Sequence, residues 1–157
     1  SVGVRGPVSL HPAISLQPVN ITSTQITKSV NSVTKDGKSS DTMGMKHRVD
    51  FGVYKFVGSI NPQLAEKTGF TYEDAQKVKE ALRTLFENDT SSARPDGSME
   101  VLHVYWWEHD SKMGQYSSAK VHRSLSVTMP EDATTIDALN IELTELEGLT
   151  PIVYDGQ

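Results

Sequence analysis

Cysteine is absent from the 157 residues, which excludes disulfides and thiolate metal sites and is compatible with a reducing compartment. No run of about eighteen apolar residues is available to span a membrane, and no charged-then-apolar leader marks export, so a soluble, cytoplasmic chain with no membrane partner is expected. The serine-nucleophile elbow Gly-x-Ser-x-Gly and the phosphate cradle Gly-x-x-x-x-Gly-Lys are missing as well. His11, His47, His103, His109 and His122 include no pair four apart on a helix and no completing carboxylate. No metal, no cofactor and no catalytic residue is therefore expected. An initiator methionine is also lacking: the chain opens at Ser1, and Gly3 to Val8 reads like the middle of a loop, so further residues are expected upstream.

What remains is ordinary for one globular domain, with 36% hydrophobic and 22% charged residues and enough length to bury a core. The net charge of −5 conceals an uneven distribution. Residues 1–60 hold seven Lys and Arg against three Asp and Glu, a balance of +4, whereas residues 61–157 hold eight against seventeen, a balance of −9. One face for a polyanion and another that is solvated or meets a basic partner is the physical reading of such asymmetry.

The stretch from Thr22 to Met45 is mostly polar, separates two strand-like runs and leads into Lys46-His47-Arg48. A long connection in a compact domain usually projects for a purpose. Asp36-Gly37 is its best turn signal, which makes it a long hairpin arm. Before it, His11 to Val19 reads as an edge strand restricted by Pro12 and Pro18. After it, Lys46 to Phe56 alternates as one strand, with His47, Val49, Phe51 and Val53 on one side. The main helix is opened by Thr71 as N-cap with Asp74 three residues on, and Ala75, Val78, Ala81, Leu82, Leu85 and Phe86 share its apolar face. Further strands are expected over Met99 to Trp107, Lys120 to Met129 and Asn140 to Leu146. This order predicts an α+β fold with an antiparallel sheet.

Dispersed cations, a flexible polar arm and apolar or planar side chains are the ingredients of nucleic-acid binding. Lys28, Lys35, Lys38, Lys46, His47 and Arg48 place charge around the arm, and Met43 and Met45 stand at its return, where they either wedge against a base or pack at the hairpin root. Arg94 and the trio Lys120, His122 and Arg123 are further candidates. Trp106 and Trp107, adjacent on a strand, cannot both face one core.

Ser39 to Val49, Gly58 to Ala65, Leu82 to Asp89, Ser91 to Pro95, Tyr105-Trp106-Trp107 and Gly114 to Arg123 together resemble the CRISPR-associated Cas-seven family, in the form found in type I-C Cascade. That resemblance implies a carboxy-terminal portion of the family's chain, residues 1–157 forming a single partial palm of RNA-recognition-motif-like (ferredoxin-like) fold, with residues 20–46 inserted as a thumb hairpin. It further implies a CRISPR guide RNA along which copies polymerise with other Cascade subunits, and target DNA presented to that guide. Two alternatives stay open. One is a metal-dependent ribonuclease acting through the loop carboxylate Asp41; the other is a chain that chiefly self-associates, acidic half on basic half.

Overall fold

The structure is a computed structural model that describes residues 1–28 and 42–157. In chain order its elements are strands β1 (Val8–Leu10), β2 (Ile14–Ser15), β3 (Ile21–Lys28), β4 (Thr42–Val49), β5 (Tyr54–Lys55) and β6 (Gly58–Ile60). Helices α1 (Pro62–Thr68) and α2 (Tyr72–Arg83) follow, then β7 (His103–Trp106), α3 (Ser118–Ser124), β8 (Leu125–Thr128), a 3-10 turn (Ile136–Ala138), β9 (Asn140–Leu143) and β10 (Ile152–Asp155). The described strands pair two by two: β1 with β6, β2 with β5, β3 with β4, β7 with β10 and β8 with β9. The class is α+β, built from small antiparallel pairings and three helices where one main helix was expected.

Two compact units share the chain. The first comprises Ser1–Pro12, Phe56–Ser126 and Glu142–Gln157, and the second Ala13–Lys55 and Val127–Ile141.

In the first unit, α2 follows directly from local chemistry. The Thr71 hydroxyl accepts from the Asp74 N–H at 3.2 Å, and the Asp74 carboxylate accepts from the Thr71 N–H at 2.9 Å, so two otherwise unpaired donors are satisfied reciprocally. Those hydrogen bonds, the backbone one foremost, hold the Asp74 carboxyl below the usual carboxylate range. The helix lays Val78, Lys79, Leu82 and Arg83 half-buried, while Ala81 and Leu85 are exposed, which corrects the expected apolar face. Lys79 and Arg83 lie over the Tyr154 ring at 4.5 and 5.3 Å, so their aliphatic stems and charges cover the β7–β10 pair. On β7 the register carries His103, Tyr105 and Trp107 in a row, with ring centroids 6.4 and 6.2 Å apart, and Trp106 points the other way, 5.8 Å from the Lys79 ammonium. The two tryptophans do face apart, as adjacent strand residues must.

Helix α1 was not expected. Asn61 caps it by accepting from the Gln63 and Leu64 N–H groups, Pro62 occupies its first turn, and Gly69 closes it at φ 74°, a left-handed conformation open to glycine at little cost. The strand expected over Lys120 to Met129 is corrected to α3 followed by β8. Ser117 caps α3 at Lys120 N–H, and Val121, Ser124 and Leu125 are buried at helical spacing. Within this unit Val121, Leu125 and Leu149 are the buried aliphatic side chains among the described residues. Strand β1 occupies Val8 to Leu10, where a loop was expected, and runs so close to β6 that a Cβ on Gly58 would lie 2.6 Å from the Ser9 carbonyl oxygen. Glycine is required there by the strand approach.

In the second unit the long strand expected from Lys46 to Phe56 ends at Val49, bends through Asp50 and Phe51 and resumes as β5. The strand expected from His11 to Val19 reduces to Ile14–Ser15. Its proline flanks explain this, because neither Pro12 nor Pro18 can donate to a ladder. β3 and β4 pair antiparallel over eight residues each, from Ile21↔Val49 to Lys28↔Thr42.

Replacing Thr71 with alanine is expected to lower stability by about 1 kcal/mol through loss of the cap, read by urea unfolding at neutral pH. Because the folded Asp74 carboxyl is held low, its contribution is present at neutral pH and fades as pH falls through that lowered value. Asp74→Asn is therefore expected to flatten the acid limb of the stability curve, and a variant as acid-sensitive as the wild type would contradict the capping box.

Candidate nucleic-acid interface

Alternation along β3 and β4 sorts the ribbon into two chemically different faces. Residues directly opposite in an antiparallel pair project to the same side. One side therefore carries Thr22, Arg48, Thr24, Lys46 and Ile26; the other carries Ile21, Val49, Ser23, His47, Gln25, Met45, Thr27 and Met43. The first is cationic and hydroxylated. The second is apolar and sulfur-rich, with Met43 70% and Met45 56% exposed.

Each face has its own internal tie. At the root of the cationic side, Asp50 accepts from the Thr22 hydroxyl at 2.7 and 2.8 Å and faces the Arg48 guanidinium at 3.5 Å. Arg48 keeps 71% of its side chain exposed, so this ion pair is solvent-screened, worth at most about 1 kcal/mol, and easily exchanged for another anion. On the apolar side the Ser23 hydroxyl and the His47 Nδ1 are 2.7 Å apart, and Gln25 Nε2 donates to the Met43 sulfur at 3.1 Å. Both contacts align methionine and imidazole along the ribbon without burying them. Lys55, opposite Ile14 on β5, is a half-buried cation of the same unit whose ammonium is made less basic by burial.

The structure brings Lys46 and Arg48 together on one face and Met43, Met45 and His47 on the other. Lys28 takes the register position opposite Thr42, at the far end of β3. Lys35, Lys38, Asp41 and the Asp36-Gly37 turn lie outside the described residues.

The remaining candidates belong to the first unit. Arg94 grips Asp89 through two parallel bonds, Nε to Oδ2 at 2.9 Å and Nη2 to Oδ1 at 3.0 Å, closing its own loop. Hydrogen bonding in that fork holds the Asp89 carboxyl low and raises the Arg94 guanidinium. The His122 Nε2 lies 3.0 Å from the Gly58 carbonyl oxygen, and since a carbonyl only accepts, this nitrogen carries the proton. The ring also packs edge-on against His11, centroids 5.8 Å apart. His122 thus ties α3 to β6 and points away from the Lys120 and Arg123 side of the helix. The contributions of Thr22, Ser23, Gln25 and Asp50 to the ribbon were missed, although strand alternation carried back from Lys46 through a symmetric hairpin assigns them.

The sequence model of the family described as CRISPR-associated protein Cas7 matches residues 2–144. No curated protein matches the chain.

The Asp89–Arg94 fork is present at neutral pH and weakens as acid protonates the depressed carboxyl. Asp89→Asn is expected to speed amide exchange at Arg94, whose N–H bonds Ser91, at pH 7 to the rate the wild type shows in acid. An unchanged exchange rate would show that the loop is held by other contacts.

Proposed function

Because the chain belongs to the CRISPR-associated protein Cas7 family, we propose that it is a non-catalytic backbone subunit that binds guide RNA in a type I-C interference complex. Copies of it line up along the RNA, together with other Cascade subunits, and present the guide to complementary DNA. The observation that supports this reading is the two-faced ribbon. A single strand of RNA offers two surfaces of opposite character, a continuous line of phosphate charge and the apolar faces of its bases. Lys46, Arg48 and the flanking threonine hydroxyls meet the first; Met43 and Met45, flexible and polarisable, meet the second. Neither set of contacts reads base identity, so a guide of any sequence is accommodated. Release of counterions from the phosphates supplies much of the affinity and makes it fall with added salt.

The two faces are expected to separate in a binding titration of unstructured single-stranded RNA across salt concentrations. Reversing both charges with K46E and R48E abolishes binding near physiological salt. Replacing Met43 and Met45 with serine weakens binding while leaving the slope of log affinity against log salt unchanged, since no phosphate contact is lost. Wild-type affinity in the charge-reversed variant contradicts the assignment.

A further inference from the structure

The first unit holds a second concentration of positive charge, on a different element from the ribbon. Four of its cations already face carboxylates: Lys77 with Glu73 at 3.6 Å, Arg83 with Glu80 at 3.1 Å, Arg94 with Asp89 at 2.9 Å, and Lys112 with Glu66. Lys120 and Arg123 face none among the described residues, and these two share a cleft. Their spacing of three places them on one side of α3.

The cleft, about 480 Å³ and open to solvent, is lined by Lys120, Arg123, Ser124, Thr144 and Leu146, with no carboxylate in its wall. Lys120 stands with its ammonium 4.9 Å from the Tyr116 ring, which holds it at the rim. The Ser124 hydroxyl donates to the Val121 carbonyl at 2.6 Å, and the Ser124 carbonyl accepts from the Thr144 N–H at 2.7 Å. Those groups are thereby occupied within the protein, which leaves an ammonium, a guanidinium and the Thr144 hydroxyl as the chemistry of the opening. Two like charges held together without a counter-charge repel, in a region whose overall balance is −9. Such a pair is accounted for by an anion that joins it.

We propose that this cleft binds a backbone phosphate of the RNA strand, as an electrostatic contact additional to the ribbon. The inference rests on the RNA-binding reading above. A guanidinium fork and an ammonium point charge, joined by a hydroxyl donor, match the oxygens of a phosphodiester. The open form of the cleft suits a strand passing across it, whereas a small free anion is better retained by an enclosed cavity.

The test compares salt titrations of single-stranded RNA binding for the wild type, K120Q/R123Q, K46Q/R48Q and, as a surface-charge control, K77Q. Loss of two phosphate contacts on a single strand is expected to reduce the slope by about 1.4, so that between about 50 and 200 mM salt the wild type loses about sevenfold more affinity than K120Q/R123Q. K77Q superposes on the wild type, and the charge-conserving K120R/R123K keeps the wild-type slope. If K120Q/R123Q superposes on the wild type while K46Q/R48Q loses slope, the cleft is not a phosphate site and the RNA-binding reading stands. If K120R/R123K loses slope together with K120Q/R123Q, the residues act through packing and the proposal is overturned. Absence of salt-dependent RNA binding by the wild type overturns both readings.

Discussion

The pairing of β3 with β4 is the constraint on which the functional reading depends. Side chains on a strand alternate with a period of two, so a slip of one residue between the partners would interleave the cations with the methionines and erase the segregation. In the observed register Thr22 meets Arg48 and Thr24 meets Lys46, and the apolar residues gather on the reverse side. An isolated two-stranded ribbon with both faces exposed gains little from apolar burial and draws on its backbone ladder and on cross-strand pairs worth a few tenths of a kcal/mol each. The contacts of Asp50 with Thr22 and Arg48, and of Ser23 with His47, are such pairs. They hold the register at its root and still leave both faces open to a ligand.

Electrostatics explains how a chain of net charge −5 presents positive surface at all. In the acidic part of the sequence most cations are consumed locally: Lys77 and Arg83 by carboxylates on their own helix, Arg94 by the loop it closes, and Lys112 by Glu66. These exposed pairs add little stability each, but they remove positive potential from the surface where they occur. Positive character survives where no carboxylate is within reach, as in the α3 cleft, or where the one carboxylate in reach is solvent-screened, as with Asp50 beside Arg48. Burial acts in the same direction at Lys55, by making its charged form less favourable.

Features governed by short-range rules were readable in the sequence. Thr71 and Asp74 announced α2 because a capping box is a local reciprocal pair, and Lys46 to Val49 announced a strand because alternation is a local pattern. The RNA-recognition-motif-like architecture stayed an expectation from family resemblance. Helix α3 was misread because Lys120, His122, Ser124 and Ser126 also alternate, and the buried set Val121, Ser124 and Leu125 shows its helical period only once the Ser117 cap is weighed. Helix α1 carries Asn61-Pro62 and Gly69 at its two ends, signals that were present and went unused. Strand β10 is four residues long and owes its existence to β7, fifty residues earlier in register, which no local window reveals. The same holds for the cleft, since Thr144 reaches α3 only through its backbone bond to Ser124.

The register of the ribbon is the central claim, and cross-strand proton contacts in the solution NMR spectrum measure it directly. Contacts linking Thr22 to Arg48 and Thr24 to Lys46 are the expected result. Contacts linking Thr24 to Met45 or to His47 instead would place the cations among the apolar side chains and contradict the account.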